Sequence, residues 1–166
     1  MNLKNITLIA LVASCFLQVG AQLFAVSVVA STVSAAPPRS FAILEGEYAF
    51  NSNAFWDIVP SITYLLFIIA LVTNWNTHRR KPILFALILF AIAGLVAGIL
   101  LEPLFADLIK TGFIDKVDAI LQKQAKRWYL FDWMVWVLAF IAALTLLLAL
   151  TRHVTTLRKH QTADSY

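Results

Sequence analysis

Residues 82–101 read PILFALILFAIAGLVAGILL and form a wholly uncharged segment between a basic and an acidic residue in the middle of the chain. It contains no Asp, Glu, Lys, Arg or His. At 1.5 Å per residue, a helix of about 20 residues covers the ~30 Å hydrocarbon core of a bilayer. A backbone in lipid must satisfy its own hydrogen bonds, and the stretch lacks the alternation of a barrel strand. It is therefore predicted to be a transmembrane helix.

Three other apolar stretches flank this one, and the predicted spans are 6–33, 56–76, 82–101 and 131–151. The composition agrees, because 61% of the residues are hydrophobic and 13% are charged, whereas a soluble domain has roughly 25% charged residues. We expect a single all-α integral membrane domain over residues 1–166. Its fold would be an up-down bundle of four transmembrane helices, followed by a cytoplasmic tail at residues 152–166.

The distribution of Lys and Arg predicts the orientation, because cytoplasmic loops are enriched in these residues. The short loop between the second and third spans carries His78-Arg79-Arg80-Lys81, and Lys4 and the tail add basic residues on the same side. Both termini are therefore predicted to be cytoplasmic, and the protein to lie in a cell membrane such as the bacterial inner membrane.

The first span has an alternative interpretation. Lys4, the apolar run and Val33-Ser34-Ala35-Ala36 resemble a secretory signal with a small-residue cleavage site. The run over residues 6–33 exceeds the roughly 7–15 apolar residues of such a signal. We therefore expect it to remain as a span.

The sequence indicates neither a resident cofactor nor a metal site. It has no GxGxxG, P-loop, HExxH or CxxC motif, and its single Cys and three dispersed His form no ligand set. The net charge of +4 is explained by topology, so no nucleic-acid partner is expected and the bilayer is the expected surrounding.

Two segments on the predicted outer side differ from the spans. Residues 37–53 contain Pro, Gly and Asn and are expected to form a loop over the bundle mouth. Residues 115–127 have helical spacing of apolar and basic side chains. They are predicted to form a short amphipathic helix, either at the membrane interface with snorkelling Lys side chains or over the end of the bundle.

Polar and small residues inside the spans predict helix contacts. Gln18 and Gln22 follow Ser14 at four-residue intervals and share one face of the first helix. They would form interhelical hydrogen bonds or line a polar ligand pocket. In the third span, Gly94 and Gly98 permit close backbone approach, within the chain or at a homodimer seam.

Carboxylates gather at the predicted outer ends of the spans. Asp57 and Asp132 would lie near helix N-termini, where the dipole favours an anion by ~0.3–1 kcal/mol. Glu102 is expected to end the third helix, with Pro103 stopping it, and there the dipole disfavours an anion. We therefore expect Glu102 to form an ion pair with Arg39 or Arg127, the alternative being a catalytic or ligand-binding carboxylate.

Three stretches resemble the anthrone-oxygenase-like family of small four-helix membrane proteins, most of whose members have no assigned activity. They are Gly46…Trp56-Asp57-x-x-Pro60, Glu102-Pro103 and Trp128-x-x-x-Asp132-Trp133, and the resemblance extends from about residue 20 to residue 150. It implies oxidation of a polycyclic phenolic substrate by molecular oxygen without a bound cofactor. In that reaction Glu102 or Asp132 would abstract a phenolic proton between walls formed by Trp128 and Tyr48.

Three functional hypotheses follow, and whether the protein is an enzyme is left open. The preferred one is a membrane protein with a pocket for a hydrophobic aromatic or quinone-like molecule at its outer end. The second is the cofactor-independent oxygenase, with Glu102 and Asp132 as catalytic residues. The third is a non-catalytic subunit of a membrane complex. The candidate ligand-binding residues are Gln18, Gln22, Tyr48, Trp56 and Trp128.

Overall fold

The computed structural model describes residues 2–151. In this part of the chain four helices are long and apolar enough to cross a membrane. They are α1 (Leu3–Ala35), α2 (Asn53–Thr73), α3 (Arg80–Ile109) and α4 (Ala119–Thr151). The predicted all-α fold with four spanning helices is confirmed. The predicted tail at residues 152–166 lies outside the described residues.

The four helices form an up-down bundle in which each helix packs against two neighbours. Helix α1 contacts α2 and α4, and α3 contacts the same two helices from the opposite corner. The most extensive contact joins α3 to α4. Alanines on the buried side of α4 permit close approach of its neighbours; they are Ala139, Ala142, Ala143 and Ala149.

Polar contacts join the helices at one end, called here the N-terminal end. The Asn74 amide donates to the carbonyl of Lys4 at 3.4 Å. The Arg79 guanidinium donates to Asn5 Oδ1 at 2.6 Å and to the carbonyl of Leu150 at 3.1 Å. Arg79 is buried, which lowers the pKa of its guanidinium below the usual value. The chain therefore brings the start of α1, the loop before α3 and the end of α4 together.

Helices α1 and α3 each contain a wider π-helical turn, at Ala25–Ala30 and Ala97–Leu101. The expectation that the third helix ends at Glu102 is wrong, because an α-helical segment continues from Glu102 to Ile109. Pro103 lies in the first turn of that segment. Pro103 has no N–H to donate within the helix, and the π turn that directly precedes it changes the helical geometry at this point.

The amphipathic segment is not a separate helix, because α4 runs unbroken from Ala119 to Thr151. No Gly or Pro interrupts it, and Asp118 Oδ1 caps its start by accepting from the backbone N–H groups of Ile120 and Leu121 at 2.7 and 3.0 Å. Asp132 consequently lies well inside the helix. The expected explanation of Asp132 by a helix N-terminus is therefore wrong.

The helices differ in length. At 1.5 Å per residue, α2 is about 31 Å long, whereas α1, α3 and α4 are about 45–50 Å long. The three longer helices therefore extend past α2 at the end opposite the N-terminal one, called here the distal end.

A second hydrophobic cluster fills this extension, called here the distal cap (residues 31–52 and 102–125). Phe41, from the 3₁₀ helix Arg39–Leu44, packs there against Val33 and Leu108. Two hydrogen bonds join the loops that cover the cap. The Phe113 N–H donates to Glu45 Oε1 at 2.6 Å, and the Asp118 N–H donates to the carbonyl of Pro37 at 2.9 Å.

Candidate functional site

A column of polar side chains runs along the side of α1 that faces the bundle. Gln18 donates to the hydroxyl of Thr63 on α2, and Ser14 Oγ lies 2.6 Å from the same oxygen. Thr63 is fully buried and its hydroxyl also donates to the carbonyl of Val59 at 2.9 Å. These hydrogen bonds join α1 to α2 in the middle of the bundle.

One turn further along α1, the column reaches a buried carboxyl group. Gln22 Nε2 donates to Asp132 Oδ1 at 2.8 Å. Asp132 is 8% exposed, and within residues 2–151 its other oxygen has no hydrogen-bond partner and no cation forms an ion pair with it. Counted from Thr151 at 1.5 Å per residue, the pair lies about 28 Å from the N-terminal end, at the edge of a ~30 Å hydrocarbon core.

Aromatic rings line the same region of α4. The Trp136 indole N–H donates to the carbonyl of Val19 at 3.1 Å, which joins α4 to α1 next to the Gln22–Asp132 pair. Trp136 also packs edge-on against Trp133 and stacks on Phe140, with ring centroids 5.5 and 5.1 Å apart. Such contacts hold the rings, and with them the backbone around Asp132, in one arrangement.

An open groove of about 160 Å³ lies between α1 and the distal end of α2. Its wall residues include Ala21, Phe24, Ala25, Phe50, Phe55 and Trp56. Ala21 precedes Gln22 in the chain, so the groove lies beside the helix turn that carries the polar pair. Ala21 and Ala25 leave space on α1 beside Phe24, and Phe50, Phe55 and Trp56 form the opposite wall.

Of the predicted catalytic residues, only Asp132 is buried in the bundle. Glu102 is exposed, and in the described part of the chain it makes neither a hydrogen bond nor an ion pair. The expected ion pair is wrong for both arginines. Arg39 Nε lies 3.2 Å from Asp115 Oδ1, and the Arg127 guanidinium lies over the ring of Phe131 at 5.6 Å.

The reason is the continuation of α3. The ion pair was expected because a helix that ended at Glu102 would place this carboxylate beside the unpaired carbonyls of its last turn. In the structure α3 continues past Glu102 to Ile109, so the carboxylate is not beside unpaired carbonyls and the reason to expect a basic partner is absent.

The predicted aromatic residues separate into three places. Trp56 lines the α1–α2 groove. Trp128 stacks on Phe105 at a centroid distance of 4.9 Å and packs against the hydrophobic cluster of the distal cap. Tyr48 is 92% exposed. The structure therefore does not bring Trp128 and Tyr48 together as the walls of one slot.

The two glycines of the third span have different surroundings. A Cβ on Gly94 would lie 2.5 Å from the hydroxyl oxygen of Tyr64 on α2, so this glycine allows a close contact. A Cβ on Gly98 would meet no atom within 4 Å. The predicted close contact within the chain is therefore present at Gly94 and absent at Gly98.

Thr63 and Trp136 join the column without having been singled out in the sequence. A Thr in an apolar helix commonly bonds to its own backbone, as Thr145 does here. A Trp near a span end is commonly an interfacial anchor. Their residue types carry no signal of an interhelical role, which arises only from the packing of α1 against α2 and α4.

Comparisons of this chain with family models, with curated proteins and with solved structures find no match. Among residues 2–151, no three His, Cys, Asp or Glu side chains are grouped as a metal site would require.

Proposed function

We propose that the protein binds a flat, hydrophobic, quinone-like molecule from the bilayer in the α1–α2 groove. The observation that carries the proposal is the combination of an aromatic groove with the buried Gln22–Asp132 pair beside it. An ionisable residue inside a spanning helix is costly to bury, and in membrane proteins such residues mark ligand or proton sites.

The size of the groove favours a single ring. A cavity of about 150 Å³ is known to hold benzene, and this groove measures about 160 Å³. One quinone ring fits this volume, and its hydrocarbon tail would leave through the open side of the groove.

Neither Gln22 nor Asp132 lines the groove itself, so the ring must pass the wall formed by Ala21 and Ala25 before it reaches the polar pair. There the pair would supply both hydrogen-bond functions that such a ring uses. The Gln22 amide nitrogen carries two hydrogens, and one of them is bonded to Asp132. The second hydrogen suits a quinone carbonyl. The Asp132 oxygen that has no partner among residues 2–151 suits the hydroxyl of the reduced form.

The proposal is tested by equilibrium binding of a short-chain benzoquinone to the purified protein in mild detergent. We expect saturable binding that is weakened about tenfold or more by Ala25→Leu, because the added side chain fills the groove and a clash of ~1.4 kcal/mol corresponds to tenfold. Ala13→Leu is the matched control, since Ala13 is an exposed residue of the same helix and does not line the groove.

Two outcomes would overturn the proposal. One is a wild-type protein that shows no saturable binding. The other is an affinity of Ala25→Leu equal to that of the Ala13→Leu control. Extraction of the purified protein with organic solvent, followed by mass spectrometry, would identify the molecule that accompanies it.

A further inference from the structure

A second and larger groove, of about 350 Å³, lies between α3 and α4 and shares no lining residue with the α1–α2 groove. Its lining includes Ile99, Leu100, Leu104, Asp107, Arg127 and Phe131. Its volume lies within the ~300–1,000 Å³ range of small-molecule sites.

The lining residues of the groove change from apolar to charged toward the distal end. On α3, Ile99 and Leu100 are exposed apolar residues, and Asp107 lies two turns closer to the distal end. On α4, which runs in the opposite direction, Phe131 is followed toward the distal end by Arg127, one turn away. Both helices therefore place their charged residue on the distal side of their apolar residues.

With one face of the hydrocarbon core placed at Arg80 and Thr151, the change in polarity falls at the opposite face. At 1.5 Å per residue, Leu100 lies about 30 Å from Arg80, and Phe131 lies about 30 Å from Thr151. A typical hydrocarbon core is ~30 Å thick. In that placement the apolar part of the groove is at the level of acyl chains, and Arg127 and Asp107 are at the level of headgroups.

The charges at the polar end favour an anion. Asp107 Oδ1 is paired with Lys110 Nζ at 2.6 Å. Within residues 2–151 Arg127 has no carboxylate partner, and its guanidinium lies over the Phe131 ring at 5.6 Å from the centroid. The three charged groups carry a net charge of +1, contributed by Arg127.

We propose that this groove binds an anionic glycerophospholipid. The phosphate bonds to the Arg127 guanidinium, and an acyl chain lies along Ile99, Leu100 and Phe131. Arginine suits this role because its planar donors match a phosphate group. The proposal is independent of the quinone-like ligand, because the two grooves lie on different pairs of helices.

Native mass spectrometry of the full chain in detergent tests the proposal, with phosphatidylglycerol and phosphatidylcholine added in equal amounts. We expect the wild type to retain phosphatidylglycerol preferentially. Arg127→Gln should reduce the retained phosphatidylglycerol about fivefold, the factor that corresponds to the roughly 1 kcal/mol contributed by one basic residue near a membrane surface. Lys126→Gln is the matched control, because it removes the same charge from the neighbouring residue, which does not line the groove.

A second variant tests the shape of the groove without changing its charge. Leu104→Trp should occupy part of the groove and lower retention of the lipid, and Leu104 is 39% exposed, so the fold tolerates the larger side chain. Equal retention by Arg127→Gln and Lys126→Gln would overturn the proposal. Retention of phosphatidylcholine as strong as that of phosphatidylglycerol would overturn it as well.

Discussion

At the scale of single residues, Asp132 is the only acidic side chain that is buried among residues 2–151. One of its carboxylate oxygens accepts a hydrogen bond from Gln22. A buried polar group that loses its partner costs more stability than the hydrogen bond itself contributes. Removing either Gln22 or Asp132 should therefore lower the stability of the protein, whereas removing both should lower it less.

Asp132→Leu should therefore lower the free energy of unfolding by about 1–3 kcal/mol, because it leaves the Gln22 amide unsatisfied in the bundle. The double variant Gln22→Leu/Asp132→Leu should recover much of this loss, since both polar groups are then gone. Thermal unfolding of the purified variants in detergent measures the effect. A double variant as unstable as the sum of the two single variants would contradict it.

Residue types and spacing predicted part of this site. The four-residue spacing of Ser14, Gln18 and Gln22 indicated a common face, and a Gln in an apolar span was expected to face protein. Their partners on α2 and α4 depend on how three helices pack together. The spacing of residues within one helix gives no information about that packing. The ion pair expected for Glu102 was wrong because it depended on the position of a helix end.

At the scale of elements, the four spans were predictable because lipid solvation requires long apolar helices. The π turns in α1 and α3 were not predictable, because Ala25–Ala30 and Ala97–Leu101 have compositions that an ordinary α-helical turn also accepts. Both π turns contact α4. Such turns often occur at functional sites, and here they lie near the two grooves.

The contact between α2 and α3 gives a prediction at this scale. Gly94→Ala should destabilise the protein by about 1–3 kcal/mol, because the new Cβ would lie 2.5 Å from the Tyr64 hydroxyl oxygen. Tyr64→Phe should relieve this clash in the double variant. Gly98→Ala should raise the thermal midpoint, since its Cβ meets open space and Gly costs roughly 0.5–1 kcal/mol relative to Ala within a helix.

The measurement is again thermal unfolding in detergent. Equal effects of Gly94→Ala and Gly98→Ala would show that the Tyr64 contact does not form. A loss of stability in Gly98→Ala would instead indicate that this glycine lies in a contact with a second copy of the chain.

At the scale of the whole molecule, the fold separates into a membrane bundle and a distal cap. The spans, loops and charge counts predicted the bundle and the loop over its mouth. The hydrophobic cluster of the cap was not predicted, because it joins Val33, Phe41, Leu108 and Ala125, which are distant in sequence and lie at the edges of the predicted spans or beyond them.

The orientation of the molecule gives the remaining prediction. Reporter fusions after Lys81 should report cytoplasm, and fusions after Lys116 should report the outside, because basic residues concentrate at the N-terminal end. The same compartment for both positions would contradict the up-down order. Exchange of the two compartments would contradict only the predicted orientation.

The loop that carries Tyr48 offers an exposed position for a label. This loop is held on one side by the bond from Phe113 to Glu45 and on the other by the bond from the Phe50 N–H to the Ile43 carbonyl at 2.9 Å. Between these anchors the Ala49 N–H donates to the carbonyl of Gly46 at 3.3 Å, and Tyr48 is 92% exposed. A short epitope inserted at Tyr48 would replace this one turn, and the hydrogen-bonding groups of Glu45, Phe113, Ile43 and Phe50 would be unchanged. With the cap on the cell exterior, as the charge distribution predicts, antibodies could then label the protein on intact cells.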